Sequence, residues 1–150
     1  MLTKNWIVVI VLLLTTSAHI SAEDRFTTKL KLQTGEVVVV AEGDFEARSI
    51  GSFSVRLYEA AEPWNETTFY TSGLIHPRDG AVEKAVLADI DGDRKQEIVV
   101  IVRSVGSGGY LSAYSFISSK GKLIFQAGVE DLAANTDSVL ALRKSIKSKE

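Results

Sequence analysis

The sequence predicts an all-β protein: an antiparallel β-sandwich of about seven to eight strands followed by a short C-terminal helix. Three observations carry that expectation. Short apolar and β-branched runs recur along the chain, bounded by Gly, Asn, Asp and Ser signals at intervals of roughly eight to twelve residues. No helical pattern alternates with these runs, which argues against a parallel α/β sheet. Neither an internal repeat nor a low-complexity linker divides the chain, so one domain accounts for most of its 150 residues.

Residues 1–22 stand apart from that domain. Lys4 gives a positive start, Ile7 to Leu14 is an unbroken apolar run, and Thr15 to Ala22 is polar and small. This order is that of a secretory signal peptide, and its apolar stretch is too short to span a bilayer comfortably. Cleavage is expected after Ala22, with Ala18 as the competing site. Residues 23–150 are then a single exported domain with no membrane attachment. The chain has no cysteine, so an exported domain has no disulfide framework and depends on its core. About 128 residues suffice to bury roughly two thirds of the unfolded surface. Losing Lys4 from the 17 basic residues leaves 16 against 19 acidic ones, a net charge of −3. Such a balance argues against nucleic acid as a partner, because its binders carry basic patches.

The elements follow in order. Arg25 to Leu32 places Phe26, Thr28, Leu30 and Leu32 on one face of a half-buried strand. Gln33-Thr34-Gly35 turns the chain into a β-branched strand from Glu36 to Ala41, which Glu42-Gly43-Asp44 ends. Ser52 to Tyr58 alternates, with Phe53, Val55 and Leu57 directed inward. Glu62 to Glu66 reads as a loop, and Thr67 to Ser72 as a short strand. Trp64, Tyr58 and Tyr70 read as core or rim aromatics, and the sequon at Asn65-Glu66-Thr67 as plain loop. His76-Pro77-Arg78-Asp79-Gly80 has the composition of a turn, and Ala81 to Leu87 of the strand after it. Further strands are expected at Glu97 to Arg103, Leu111 to Ile117 and, after a Ser118-Ser-Lys-Gly121 turn, Lys122 to Ala127. A helix is expected over Thr136 to Lys147, with Thr136 as its N-cap and Val139, Leu142 and Ile146 on one side.

Two stretches carry candidate chemistry. Asp89-Ile-Asp-Gly-Asp-Arg-Lys-Gln-Glu97 gathers the carboxylates of Asp89, Asp91, Asp93 and Glu97 on a Gly-bent loop, the oxygen-rich environment that calcium needs. Its flanks are strands, and Val100 stands where an EF-hand has its bidentate Glu, so it is not an EF-hand. The competing reading is a turn whose aspartates accept bonds from its own amides and fix the register of two strands.

The second stretch is Ser104-Val-Gly-Ser-Gly-Gly-Tyr110. Seven residues exceed what a tight hairpin needs. Gly106, Gly108 and Gly109 keep the loop thin, and Ser104, Ser107 and Tyr110 supply hydroxyls, which suits a probe for a partner's cleft; the plain alternative is a connection. No Walker-type lysine follows the glycines, and the loop opens a strand rather than a helix, so a phosphate cradle is disfavoured. Enzymatic residues are sparse. With His19 in the leader, His76 is the one imidazole left for a Ser-His-Asp arrangement with Ser104 or Ser107, and no nucleophile elbow is present. One histidine and no cysteine also exclude an ordinary zinc site.

Taken together, the leader, the cysteine-free β domain, Asp89-Ile-Asp-Gly-Asp-x-x-x-Glu-Ile-Val-Val and Ser107-Gly108-Gly109-Tyr110 running into a strand resemble the periplasmic inhibitors of invertebrate-type (i-type) lysozyme. The resemblance implies a periplasmic β-sandwich, monomeric or homodimeric, without catalytic activity and without a cofactor. It further implies that the loop of Ser104, Gly106, Ser107, Gly108, Gly109 and Tyr110 enters the lysozyme cleft, with Ser107 and Tyr110 as the inhibitory residues. The alternative from a different class is a calcium-stabilised module for adhesion or assembly, since the Asp-Gly-Asp turn is also similar to that of FG-GAP-type repeats. A third reading is an esterase-like enzyme using Ser107.

Overall fold

The computed structural model describes residues 25–62 and 68–148, so the leader, Trp64 and the Asn65 sequon lie outside the described residues. Among the described residues, eight strands and one helix follow in sequence: β1 (Thr27–Lys31), β2 (Val37–Glu42), β3 (Ile50–Tyr58), β4 (Tyr70–Asp79), β5 (Ala81–Ala88), β6 (Glu97–Arg103), β7 (Leu111–Ser119), β8 (Lys122–Leu132) and α1 (Ser138–Lys147). They form two antiparallel four-stranded sheets, ordered β1-β2-β3-β4 and β5-β6-β7-β8, each a simple meander. The sandwich, its strand number and the terminal helix are as the sequence leads one to expect. Among the described residues, no helix is long and apolar enough to cross a membrane.

Alternation builds the core from the first sheet. Val38, Val40, Phe53, Val55 and Leu57 are fully buried, and their neighbours on β2 and β3 face outward. The second sheet differs because both its faces are covered. Ile98, Val100 and Val102 of β6 enter the core between the sheets, whereas Val99 and Ile101 pack beneath Leu142 of α1. An unbroken apolar run is what a strand buried on both faces requires. The helix starts later than expected: Asp137, not Thr136, is the N-cap, its Oδ1 accepting from the Leu140 amide at 3.0 Å.

The main departure is at residues 76–80. His76, Pro77, Arg78 and Asp79 are not a turn but the end of β4, paired with Phe53, Ser52, Gly51 and Ile50. Because β4 is an edge strand, Pro77 can lack an N–H without breaking the sheet. Arg78 belongs to the interior. Its buried guanidinium donates to the carbonyls of Ala47, Arg48, Ser52 and Gly80, beside the carboxylates of Glu42 (3.8 Å) and Glu46 (3.7 Å). Glu42 likewise closes β2 rather than opening a turn. It is buried, and its Oε1 accepts from the Val82 amide at 2.7 Å, joining the two sheets. Gly80 alone carries the chain from one sheet to the other, at φ +121. Of the strand expected at Thr67–Ser72, Thr67 lies outside the described residues and the part from Tyr70 on is the start of β4, while β8 continues past Ala127 to Leu132.

Tyr114 supplies a pH test of this packing. Burial, helped by its hydrogen bond to Glu130 Oε1 at 2.9 Å, pushes its phenol up to about 12. The folded state therefore favours the protonated phenol, and the associated stability is complete below the ordinary value of 10.0 and is lost as pH rises toward 12. Denaturant midpoints measured between pH 9 and 12 are expected to fall less in Tyr114→Phe than in the parent; equal slopes would rule out this coupling.

Candidate functional site

The 104–110 loop joins β6 to β7 at the end of the sandwich where β4 also passes into β5. It is a closed shape rather than a slack connection. The Ser104 amide donates to the Tyr110 carbonyl at 2.9 Å, closing the neck, and the Gly109 amide donates to the Gly106 carbonyl at 3.1 Å, making a turn inside it. Gly109 takes φ +53, a left-handed value that most side chains would resist. Beyond the neck, Val105, Gly106, Ser107 and Gly108 are exposed, and Tyr110 keeps 53% of its surface accessible. Its ring lies over Gly108, where a built Cβ would stand 2.2 Å from Tyr110 Cε2. The missing side chain at 108 is thus what lets the aromatic ring settle against the loop.

Residues outside the motif hold this shape. Arg103 donates from its guanidinium to Gly109 O at 2.9 Å and to Ala134 O at 3.4 Å, and it pairs with Glu83 on β5. The bond to Glu83 raises the Arg103 pKa, so the group is a permanent cation. One planar fork thereby ties the loop to β5 and to the chain leading into α1. Gly80 packs on the loop's first residues: a Cβ built there would stand 2.2 Å from Arg103 O and 2.8 Å from Ser104 Cα. Sequence reasoning singled out neither Arg103 nor Gly80 for this part. The available signal was an arginine ending the apolar run of β6 at the mouth of a glycine-rich loop.

The Asp-rich turn lies at the opposite end of β6, roughly 20 Å away along a seven-residue strand. Asp89, Asp91 and Glu97 bring one oxygen each within 4.8 Å of one another. These carboxylates already accept bonds from the protein. Asp89 takes the Gly92 (2.7 Å) and Arg94 (3.1 Å) amides, and Asp91 takes the Asp93 amide (3.0 Å) and Gln126 Nε2 (3.1 Å). Glu97 takes the Ile90 amide at 2.7 Å, and burial raises its pKa. Asp93 instead turns to Lys95, whose amide bond draws its pKa down. These bonds to backbone amides are the ones that a self-capped turn makes.

His76, which an esterase-like site would require, is taken up by packing. Its ring stacks on Phe53 and Phe125, both at 5.3 Å, and lies 4.2 Å from Tyr114, while Nδ1 faces the Pro77 carbonyl at 2.8 Å. The structure therefore brings Ser104, Ser107 and Tyr110 together on one loop, and places His76 in an aromatic cluster between β4 and β8.

Residues 24–146 match the family model described as periplasmic lysozyme inhibitor of I-type lysozyme. A crystal structure of such an inhibitor from Aeromonas hydrophila is 42% identical, covers 78% of this chain and 98% of its own, and superposes with a TM-score of 0.73. A second structure shows the Aeromonas hydrophila inhibitor in complex with Meretrix lusoria lysozyme, at 42% identity, coverage of 79% and 95%, and a TM-score of 0.72. Among curated proteins none matches significantly.

Proposed function

The chain belongs to the family of periplasmic inhibitors of I-type lysozyme, and from that membership we infer that it blocks an invertebrate-type lysozyme by placing its 104–110 loop in the enzyme's substrate cleft. It is an inhibitor rather than an enzyme, and it acts in the periplasm, where an incoming lysozyme meets peptidoglycan. The observation that carries the loop's role is its closed, exposed shape: a neck pinned at 2.9 Å and a half-exposed tyrosine resting on a glycine.

The chemistry follows from what a lysozyme cleft contains. Glycoside hydrolysis uses two carboxyl groups on either side of the scissile bond. The Ser107 hydroxyl, exposed on the loop, donates to one of them, and Tyr110 adds apolar area with few torsions to freeze. Gly106 and Gly108 leave the loop slim enough to lie where a glycan strand would run. Neither side chain offers a glycosidic bond, so the enzyme is occupied and not turned over. Pre-shaping by Arg103 lowers the ordering cost of binding, because the loop enters in the form it already holds.

The test is lysis of bacterial cells by an invertebrate-type lysozyme, with chicken-type and goose-type enzymes alongside. Purified mature protein is expected to stop the invertebrate-type enzyme at near-stoichiometric amounts and to act much more weakly on the others. Undiminished lysis by the invertebrate-type enzyme would overturn the reading.

A further inference from the structure

We propose that the β2–β3 loop, residues 43–49, is a second arm of the same interface, with Phe45 as an apolar contact for the lip of the lysozyme cleft. The proposal rests on the 104–110 loop being the part that enters the cleft. In this loop Glu46 folds back onto the sheet, whereas Phe45 turns out beside the exposed Asp44 and Arg48.

Glu46 folds back so that its carboxylate accepts from the Ser52 hydroxyl at 2.7 Å and the Ser52 amide at 2.5 Å, which lowers its pKa. The buried Arg78 guanidinium holds the Ala47 carbonyl at 3.0 Å and the Arg48 carbonyl at 2.9 Å, and Arg25 donates to the Glu46 carbonyl. The Gly43 amide donates to Ser52 O at 3.0 Å, and the Gly80 amide to Ser49 O at 2.8 Å. Against this fixed frame Phe45 takes φ +61 and is 105% exposed, as open as in an extended peptide. A single exposed hydrophobe is ordinary. A phenylalanine held in the left-handed region by a loop fixed on both sides of it is not, since that conformation is uncommon for bulky residues and marks a functional constraint more often than chance.

Position supplies the occupant. Gly80 lies between the two loops: its amide bonds the 43–49 loop at Ser49, and its Cα face packs on Arg103 and Ser104, where the other loop begins. Ile50, 63% exposed, follows the first loop, and Val105, 61% exposed, opens the second. Phe45, Ile50, Val105 and Tyr110 are thus exposed apolar residues on adjoining segments of one end of the sandwich. A partner that accepts Tyr110 in its cleft brings its cleft margin against that end, and exposed apolar area there is what such a margin covers.

The test uses the mature protein and an invertebrate-type lysozyme. Phe45→Ala is expected to raise the inhibition constant about tenfold or more while leaving the melting temperature unchanged, because the side chain packs on nothing it could destabilise. Tyr110→Ala is measured beside it. If Tyr110→Ala weakens inhibition and Phe45→Ala does not, the second arm is refuted and the cleft-entering loop stands. If Phe45→Ala weakens inhibition and Tyr110→Ala does not, the loop reading falls, and the second-arm proposal that rests on it falls with it. If neither matters, both fall. A direct readout exploits the absence of cysteine: Phe45→Cys carrying an environment-sensitive dye is expected to shift its emission on adding lysozyme. The same dye at Ile124→Cys, near the β7–β8 turn at the far end, is expected to stay unchanged. A silent dye at position 45 under saturating enzyme refutes the contact.

Discussion

Replacing Tyr110 by alanine is expected to weaken inhibition of an invertebrate-type lysozyme by about 1 to 4 kcal/mol, roughly a five- to several-hundred-fold rise in the inhibition constant. The size follows from where the ring sits. It ends the exposed loop, keeps about half its surface open in the free protein, and rests on Gly108 without entering either core cluster. Its area is therefore available to the partner, and truncation removes contact without opening a cavity in the fold. Thermal stability of Tyr110→Ala is expected to stay within about 0.5 kcal/mol of the parent, as for an ordinary surface change. Tyr110→Phe divides the effect. If apolar area dominates, it retains inhibition to within about 1 kcal/mol; if the hydroxyl bonds a buried carboxylate, the loss approaches that of alanine. Ser107→Ala removes one hydroxyl and little area, so its expected cost is smaller, about 0.5 to 1.5 kcal/mol. Titrating a fixed lysozyme concentration with each variant measures these differences directly, and a Tyr110→Ala variant as potent as the parent would remove the loop from the mechanism.

The loop was legible because its signals are local. Glycine spacing, hydroxyls and flanking apolar runs all lie within 97–117 and needed no knowledge of the rest of the chain. The same holds for β3, where Phe53, Val55 and Leu57 announce their own burial, and for the Asp-rich turn, whose carboxylates accept from backbone amides at most seven residues away. What stayed hidden depends on distant partners. His76-Pro-Arg-Asp-Gly80 has turn composition, yet Arg78 is buried because carbonyls about thirty residues earlier in sequence, at Ala47 and Arg48, converge on it. His76 is packed because β8, nearly fifty residues later, brings Phe125 against it. Thr136 and Asp137 are both good N-caps, and only the docking of Leu142 on the second sheet decides between them. Arg103 belongs to the same class: its acceptors at Gly109 and Ala134 meet only when both loops fold to one end.

Gly80→Ala is the substitution expected to damage the fold most for the fewest atoms added, by about 2 to 4 kcal/mol. Two costs combine. At φ +121 the backbone occupies a region that L-residues rarely adopt, and the new Cβ would sit 2.2 Å from Arg103 O and 2.6 Å from Arg103 C. These are backbone atoms of a central β strand, so no side-chain rotation relieves the clash, and either β4–β5 or the start of the loop must move. The Gly80 amide to Ser49 O and the Arg78 bond to the Gly80 carbonyl would be strained by the same displacement. Inhibition is then expected to weaken even where the variant stays folded, because the neck of the loop begins at the atoms being pushed. Gly106→Ala is the counterpart at the tip: a Cβ there meets nothing within 4 Å, so stability is expected to hold within about 0.5 kcal/mol. Urea midpoints for the two variants separate the cases. A Gly80→Ala protein as stable as the parent would show that the corner between the sheets yields easily, and that the loop's shape does not depend on it.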